Sequence, residues 1–347
     1  MRVILFKVNH LGDNLVFLPV VQALRRRFPA WQLTVITVES ERALYAADLT
    51  PERIWTAPGR IAFNHNWRRP WQWLHWWGRV RRERPAACLL SYDQGNSAHV
   101  IAWFSGARIR IGAHMPFVHF RRALTHAVGR TTSRKIADWN WAMGRELALA
   151  AGATDWPEFP PPPDLRHLTG NVTREPGLVV IHAGARAPIR RWGAERMAEV
   201  GRRLVADGHR VVWIDRPDTH VATLPPGVQR APCDSLPELA RLFARSALLL
   251  CNNSGPMHLA NALGTPLVVI SGPTSYDWDP YWHQARCAIL RWTELPCIAC
   301  EDSGVGTEHC VNRATPLACL HHWTVEAVAA ACRAQLARRD GFGDCAR

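Results

Sequence analysis

Short apolar runs alternate with longer stretches of helical periodicity along most of this chain. Val3–Val8 reads as a strand, Asp13–Phe28 as a helix ending before Pro29, Leu33–Val38 as the next strand and Ala87–Ser91 as another. The pattern breaks at Pro157–Glu158–Phe159–Pro160–Pro161–Pro162–Pro163–Asp164, where a proline run fits neither helix nor central strand and predicts a stiff extended connector. Beyond it the alternation restarts: strand Leu178–His182, helix Ala194–Asp207, strand Arg210–Ile214, helix Leu236–Arg245, strand Leu248–Cys251. Strands alternating with helices predict parallel α/β architecture. A chain of 347 residues also exceeds what one compact core usually holds. The expectation is therefore two Rossmann-like domains, residues 1–163 and 164–347, facing an interdomain cleft. The last helix, Val325–Arg338, fits against either one.

The most informative turn is Cys251–Asn252–Asn253–Ser254–Gly255–Pro256–Met257–His258. An apolar run ends there and a helix begins at once. Ser254 or Gly255 suits the cap, Pro256 the first turn, and Gly264 the position past the end. Such a turn presents free backbone N–H groups and the positive end of the helix dipole, a seat for a phosphate or diphosphate. It is equally an ordinary βα turn that binds nothing. The next apolar run, Leu267–Ile270, ends in Gly272–Pro273–Thr274–Ser275, so two successive strands deliver turn chemistry to one carboxyl edge.

Hydrophobic content of 48% fits substantial cores, and no apolar run approaches the roughly 20 residues of a spanning helix. Asp13 and Asn14 interrupt what would be a signal-peptide apolar region, so the expected location is cytoplasmic. Charge changes the picture more. The formal net charge is +13, and residues 60–150 hold 15 Lys/Arg against four Asp/Glu, interleaved with Trp67, Trp71, Trp73, Trp76, Trp77, Trp103, Trp139 and Trp141. Arginines that meet phosphates, beside indoles that sit at a membrane interface or on sugar rings, suit an anionic amphiphile. A solvated basic surface over core tryptophans is the plainer alternative. No nucleic-acid module is present to explain the charge.

The second motif is Leu11–Gly12–Asp13, after the first strand. Asp13 is either a helix-cap residue or a general base able to take the proton of an attacking hydroxyl. Three separated motifs then carry a family likeness. They are Leu11–Gly12–Asp13 with Pro19 and Ala23–Pro29; Val180–Ala185 with Arg190–Arg191–Trp192; and Asn253–Ala260 with Ala262–Pro266 and Gly272–Pro273–Thr274. In order and spacing the chain resembles the heptosyltransferase-type glycosyltransferases (glycosyltransferase family 9). The region between Pro51 and Arg145 matches poorly.

The resemblance implies a GT-B fold and an inverting transfer of a sugar, typically heptose from ADP-heptose, onto a lipopolysaccharide core or related glycan. It implies no obligatory cofactor, and a peripheral place at the cytoplasmic face of the inner membrane. Asp13 matches the family's catalytic base. Arg190, with Arg191 beside it, falls where the family has a phosphate-contacting lysine; Asn253, Ser254, Gly255, Pro256, His258 and Thr274 match the donor seat. Gly12, Asn14, Arg68 and Arg69 are the acceptor-side candidates, the acceptor being an anionic lipid-linked glycan. Asn253 departs from the family's Asp and leaves the donor sugar open. Competing readings are a nucleotide-sugar hydrolase or epimerase of the same fold, and a non-enzymatic polyanion-binding protein.

Cys297 and Cys300, followed by Cys310 and Cys319, form a set that suits a structural zinc or iron, reduced buried thiols, or a disulfide.

Overall fold

The computed structural model describes residues 1–57, 70–115, 118–216, 219, 221–303 and 309–338. The chain forms two compact units, Met1–His167 and Leu168–Arg347.

The first unit is a six-stranded parallel sheet built from β1 (Arg2–Phe6), β2 (Gln32–Val38), β3 (Ile54–Ala57), β4 (Ala87–Leu90), β5 (Ile109–Ala113) and β6 (His126–Val128). Their order is β3-β2-β1-β4-β5-β6. The central strands are apolar and buried on both faces, as a sheet covered by helices requires. Leu5 of β1 lies between Val35 of β2 and Leu89 of β4. Helices α1 (Leu11–Arg27), α2 (Pro70–Arg82), α3 (Asn96–Phe104) and α4 (Ile136–Ala150) flank the sheet. A methyl group at Gly144 of α4 would stand 2.7 Å from Val20 of α1, so glycine is what lets these two helices approach.

The proline run is not a free connector. Trp141 donates from its indole to the Pro157 carbonyl at 2.7 Å, and Gln22 exchanges two 2.9 Å hydrogen bonds with the Asp164 backbone. The run is thereby strapped along the first unit, which ends a few residues beyond it. A short helix, α5 (Arg166–Thr169), spans the division.

The second unit repeats the topology. Its strands are β7 (Leu178–His182), β8 (Arg210–Ile214), β9 (Val228–Ala231), β10 (Leu248–Asn252), β11 (Leu267–Ile270) and β12 (Cys287–Leu290). They run β12-β11-β10-β7-β8-β9, all parallel, which is the first sheet's order in the new numbering. Helices α6 (Ala194–Ala206), α7 (Leu236–Arg245), α8 (Gly255–Ala262), α9 (Ala318–His321) and α10 (Val325–Ala337) complete it. A capping box starts α7: Ser235 accepts from the Glu238 amide, while Glu238 accepts from the Ser235 amide. The last helix belongs here. Val328, Ala329 and Cys332 enter the second core with Trp213, and Arg333 pairs with Asp207 at 2.7 Å.

Candidate active site

In a sheet of this order, ligands bind outside the carboxyl ends of the two central strands, whose outgoing connections run opposite ways. Those pairs are β1/β4 in the first unit and β7/β10 in the second.

At the end of β1 the chain runs through Lys7, Asn9 and His10 into α1. The helix starts at Leu11, two residues before the sequence predicts, and His10 holds the cap position without a side-chain capping bond. Asp13 is therefore no cap residue; it stands in the first turn, near the positive end of the helix dipole. The Lys7 ammonium is 3.7 Å from the Asp13 carboxylate and donates to the Tyr92 carbonyl beyond β4 at 3.3 Å. Lys7 is 0% exposed while the Asp13 side chain is 16% exposed, so the pair presents its acid and hides its base. A buried lysine is tolerable only with such a partner.

Behind Asp13 lies Glu41, in the short 3-10 helix Glu39–Tyr45, accepting from Ser40 at 3.0 Å. Burial pushes its carboxyl up to about 7; the Ser40 bond opposes this, and the neighbouring Asp13 charge adds to it. Burial likewise holds the Tyr45 hydroxyl well above its ordinary value, with the Glu41 and Asp13 charges contributing.

Asn14 faces the protein interior. It is fully buried: its amide donates to the Asn9 and His10 carbonyls at 3.0 Å each, and its oxygen accepts from Thr37 at 3.0 Å and Tyr45 at 2.6 Å. All its bonding capacity is spent shaping the loop that carries Asp13. Gly12 is buried as well. Arg68 and Arg69 lie outside the described residues.

At the end of β10, Asn252 bridges the second switch point. Its amide donates to the Ala183 carbonyl after β7 at 2.7 Å, and its oxygen accepts from the Trp192 amide at 3.1 Å. Ser254 occupies the cap position of α8, but its hydroxyl turns back to the Asn252 carbonyl at 3.2 Å and caps nothing. Neither the Ser254 nor the Gly255 amide has an acceptor among the described residues, and Pro256 has no N–H. The turn thus keeps donors and dipole directed outward. At the far end Gly264, at φ +68°, closes a Schellman motif through Gly264 to Asn261 and Thr265 to Ala260 bonds.

The other donor-side residues divide. Asn253 is buried and donates to Ser271 and to Asp279, each at 3.2 Å. Asp279 in turn pairs at 2.5 Å with Arg291, itself buried and stacked 4.1 Å over Tyr276. Asn253 therefore stands where only a donor fits beside Asp279, which gives the departure from Asp a local cause. His258 is buried edge-on against Trp278 and belongs to the packing of α8. Thr274 is buried, and its hydroxyl has no hydrogen-bond partner among the described residues. Arg190 is not presented as a phosphate clamp: its Nε and Nη2 donate to the two Glu301 oxygens at 2.7 and 2.6 Å. Arg191 donates from Nε to the Ala185 carbonyl at 2.8 Å, on the loop after β7.

Glu301 reaches Arg190 from the cysteine segment, where the Ala299 and Glu301 amides bond the Gly272 and Pro273 carbonyls. Burial pushes the Cys319 thiol up to about 11, with charge on Cys310, Cys300 and Cys297 adding to the rise. The four thiols are thus within electrostatic reach of one another. Among the described residues they form no disulfide, and no three His, Cys, Asp or Glu side chains converge as a metal-ligand set.

Sequence reasoning passed over Lys7, Glu41, Asn252, Asp279 and Arg291. A polar residue closing an apolar strand marks Lys7 and Asn252; nothing local marks the other three.

Comparison with known proteins joins these features to a family. The model of Glycosyltransferase family 9 (heptosyltransferase) matches residues 74–305. Lipopolysaccharide heptosyltransferase 2 of Salmonella typhimurium is 31% identical over 133 residues, 35% of this chain and 38% of that protein. The chain thus matches little more than a third of that relative's length. Lipopolysaccharide heptosyltransferase 3 of Escherichia coli is 22% identical over 78% of this chain and 83% of its own length. Among solved structures, E. coli heptosyltransferase WaaC with ADP superposes with a TM-score of 0.71 at 16% identity, covering 96% of this chain and all of that one, which shows a shared GT-B fold. With twin parallel sheets, an acid at one switch point and outward amides at the other, the chain belongs to glycosyltransferase family 9.

Proposed function

We propose that this protein transfers a heptose from an ADP-activated donor to the lipopolysaccharide core, with inversion at the anomeric carbon. The observation that carries the reading is the Lys7–Asp13 pair, a carboxyl group partly open at the switch point of a family 9 chain. The ADP bound by WaaC and the likeness to lipopolysaccharide heptosyltransferases support the donor and acceptor classes.

In the step itself, an acceptor hydroxyl gives its proton to Asp13 as its oxygen bonds the anomeric carbon. The bond from that carbon to the phosphate oxygen breaks, and ADP leaves carrying the electron pair. The free amides of Ser254 and Gly255, at the N-terminus of α8, meet the charge that builds on the diphosphate. Arg191 and Arg190 add positive charge nearby, Arg190 only after partial release from Glu301. Fixed donors here take the place of a divalent ion, so chelator should leave the rate intact.

The test is transfer from ADP-heptose by Asp13→Asn. The expected kcat falls by about 10²- to 10⁴-fold, while ADP still raises the melting temperature. Undiminished transfer would remove Asp13 as the base, and turnover of donor without acceptor would favour a hydrolase.

A further inference from the structure

Exposed aromatic and basic residues of α2 adjoin those at the end of α3. Helix α2 exposes Trp71 (63%) and Leu74 (51%), and the end of α3 exposes Trp103 (48%) and Phe104 (53%). The Trp77 indole and the Arg81 guanidinium both donate to the Phe104 carbonyl at 3.1 Å, which fixes these rings beside α2. Trp103 and Phe104 lie nearly parallel, 6.3 Å between centroids. Adjoining them is an open cavity of about 660 Å³ lined by Arg81, Arg82, Arg84, Ser105 and Gly106. The one acid within this run, Glu83, turns away to Arg53. Among the described residues Arg81, Arg82 and Arg84 have no carboxylate partner, and all three are exposed.

We propose that this face docks on the surface of an anionic phospholipid bilayer, its rings entering the headgroup layer and its arginines meeting lipid phosphates. The chemistry fits in both parts. Exposed large rings cost free energy in water and are favoured at the membrane interface, where an indole keeps its N–H wet. Each arginine near a negatively charged leaflet adds to the attraction. A small free anion has no use for the rings. A second copy meeting this face isologously would bring two sets of unneutralised arginines together. No helix among the described residues is long and apolar enough to cross a membrane. The proposal deepens the proposed function by placing the enzyme where a lipid-linked acceptor resides; vesicle binding is read without sugar transfer, so either can fail alone.

The experiment is sedimentation of the full chain with phosphatidylcholine vesicles, with and without phosphatidylglycerol. Binding is expected only to the anionic vesicles, weakening as salt rises. Arg82→Glu with Arg84→Glu should lower the partition coefficient by about tenfold or more, and Trp103→Ser with Phe104→Ser should also lower it, with melting temperatures unchanged because all four residues are exposed. Equal binding to neutral vesicles, or undiminished binding by both variants, would overturn the proposal. So would complete release by inorganic phosphate at matched ionic strength, which would indicate a small-anion site. A change of oligomeric state in the aromatic variant, with vesicle binding intact, would assign the face to self-association instead.

Discussion

The two units share one strand order, yet their switch points are furnished in opposite ways. In the first, charge stands at the surface of the site: Lys7 pairs with Asp13, and a second carboxyl, Glu41, sits behind it. In the second, the turn itself is neutral, made of Asn252, Asn253, Ser254 and Gly255, and its charged pair, Arg291 with Asp279, is buried beneath. A topology thus fixes where a ligand goes but leaves open what meets it. One edge presents a carboxyl group and the other two backbone amides without an acceptor among the described residues.

The sharpest way to break this contrast is to unpair the first site. Asp13→Ala strands a fully buried ammonium, and removing one partner of a buried pair costs about 3–5 kcal/mol. Urea unfolding should show that loss, and adding Lys7→Met should recover much of it. If the single variant is as stable as the parent, the pair does not hold the loop.

Next comes pH. Glu41 has its folded pKa raised from 4.5 to about 7, so it contributes stability that is fully present below pH 4.5 and lost as pH rises to about 7. The shift corresponds to about 3 kcal/mol. Glu41→Gln should remove that loss, seen as a smaller difference in unfolding free energy between acidic and mildly basic buffer. Parallel curves for parent and variant would refute the raised value.

At the second site, Asn253→Asp would exchange a donor for a carboxylate facing Asp279. A loss of about 1–3 kcal/mol is expected at neutral pH, diminishing in acid as a carboxyl protonates. An unchanged midpoint would mean Arg291 compensates both acids. The smallest effect is at Gly264, whose left-handed backbone ends α8: alanine there should cost about 1 kcal/mol and leave transfer intact.

Much of this was legible in the sequence. The central strands declare themselves as apolar runs, and the Ser254–Pro256 turn and Gly264 carry their helix-boundary signals in residue type alone. The last two strands of the first sheet were not legible: Ile109–Ala113 is interrupted by Arg110, and His126–Val128 is too short to show a period. Asp13 could be singled out by its place after the first strand. Of its neighbours, Lys7 is marked only as a polar residue closing that apolar strand, and Glu41 is not marked at all, because it arrives through tertiary packing. The surroundings of Arg190 were hidden for the same reason: Glu301, more than a hundred residues later, accepts from its Nε and Nη2. Asn14 also looked available beside Asp13, until Thr37 and Tyr45 were seen to fill its oxygen.

The most direct test of the division of labour is calorimetric titration of ADP into the parent, Asp13→Asn and Gly255→Pro. Proline suits that first helical position and removes only an outward amide. The account predicts unchanged affinity for Asp13→Asn and a loss of about tenfold or more for Gly255→Pro, the worth of one charge-assisted hydrogen bond. Affinity that collapses in the first variant and survives in the second would contradict it.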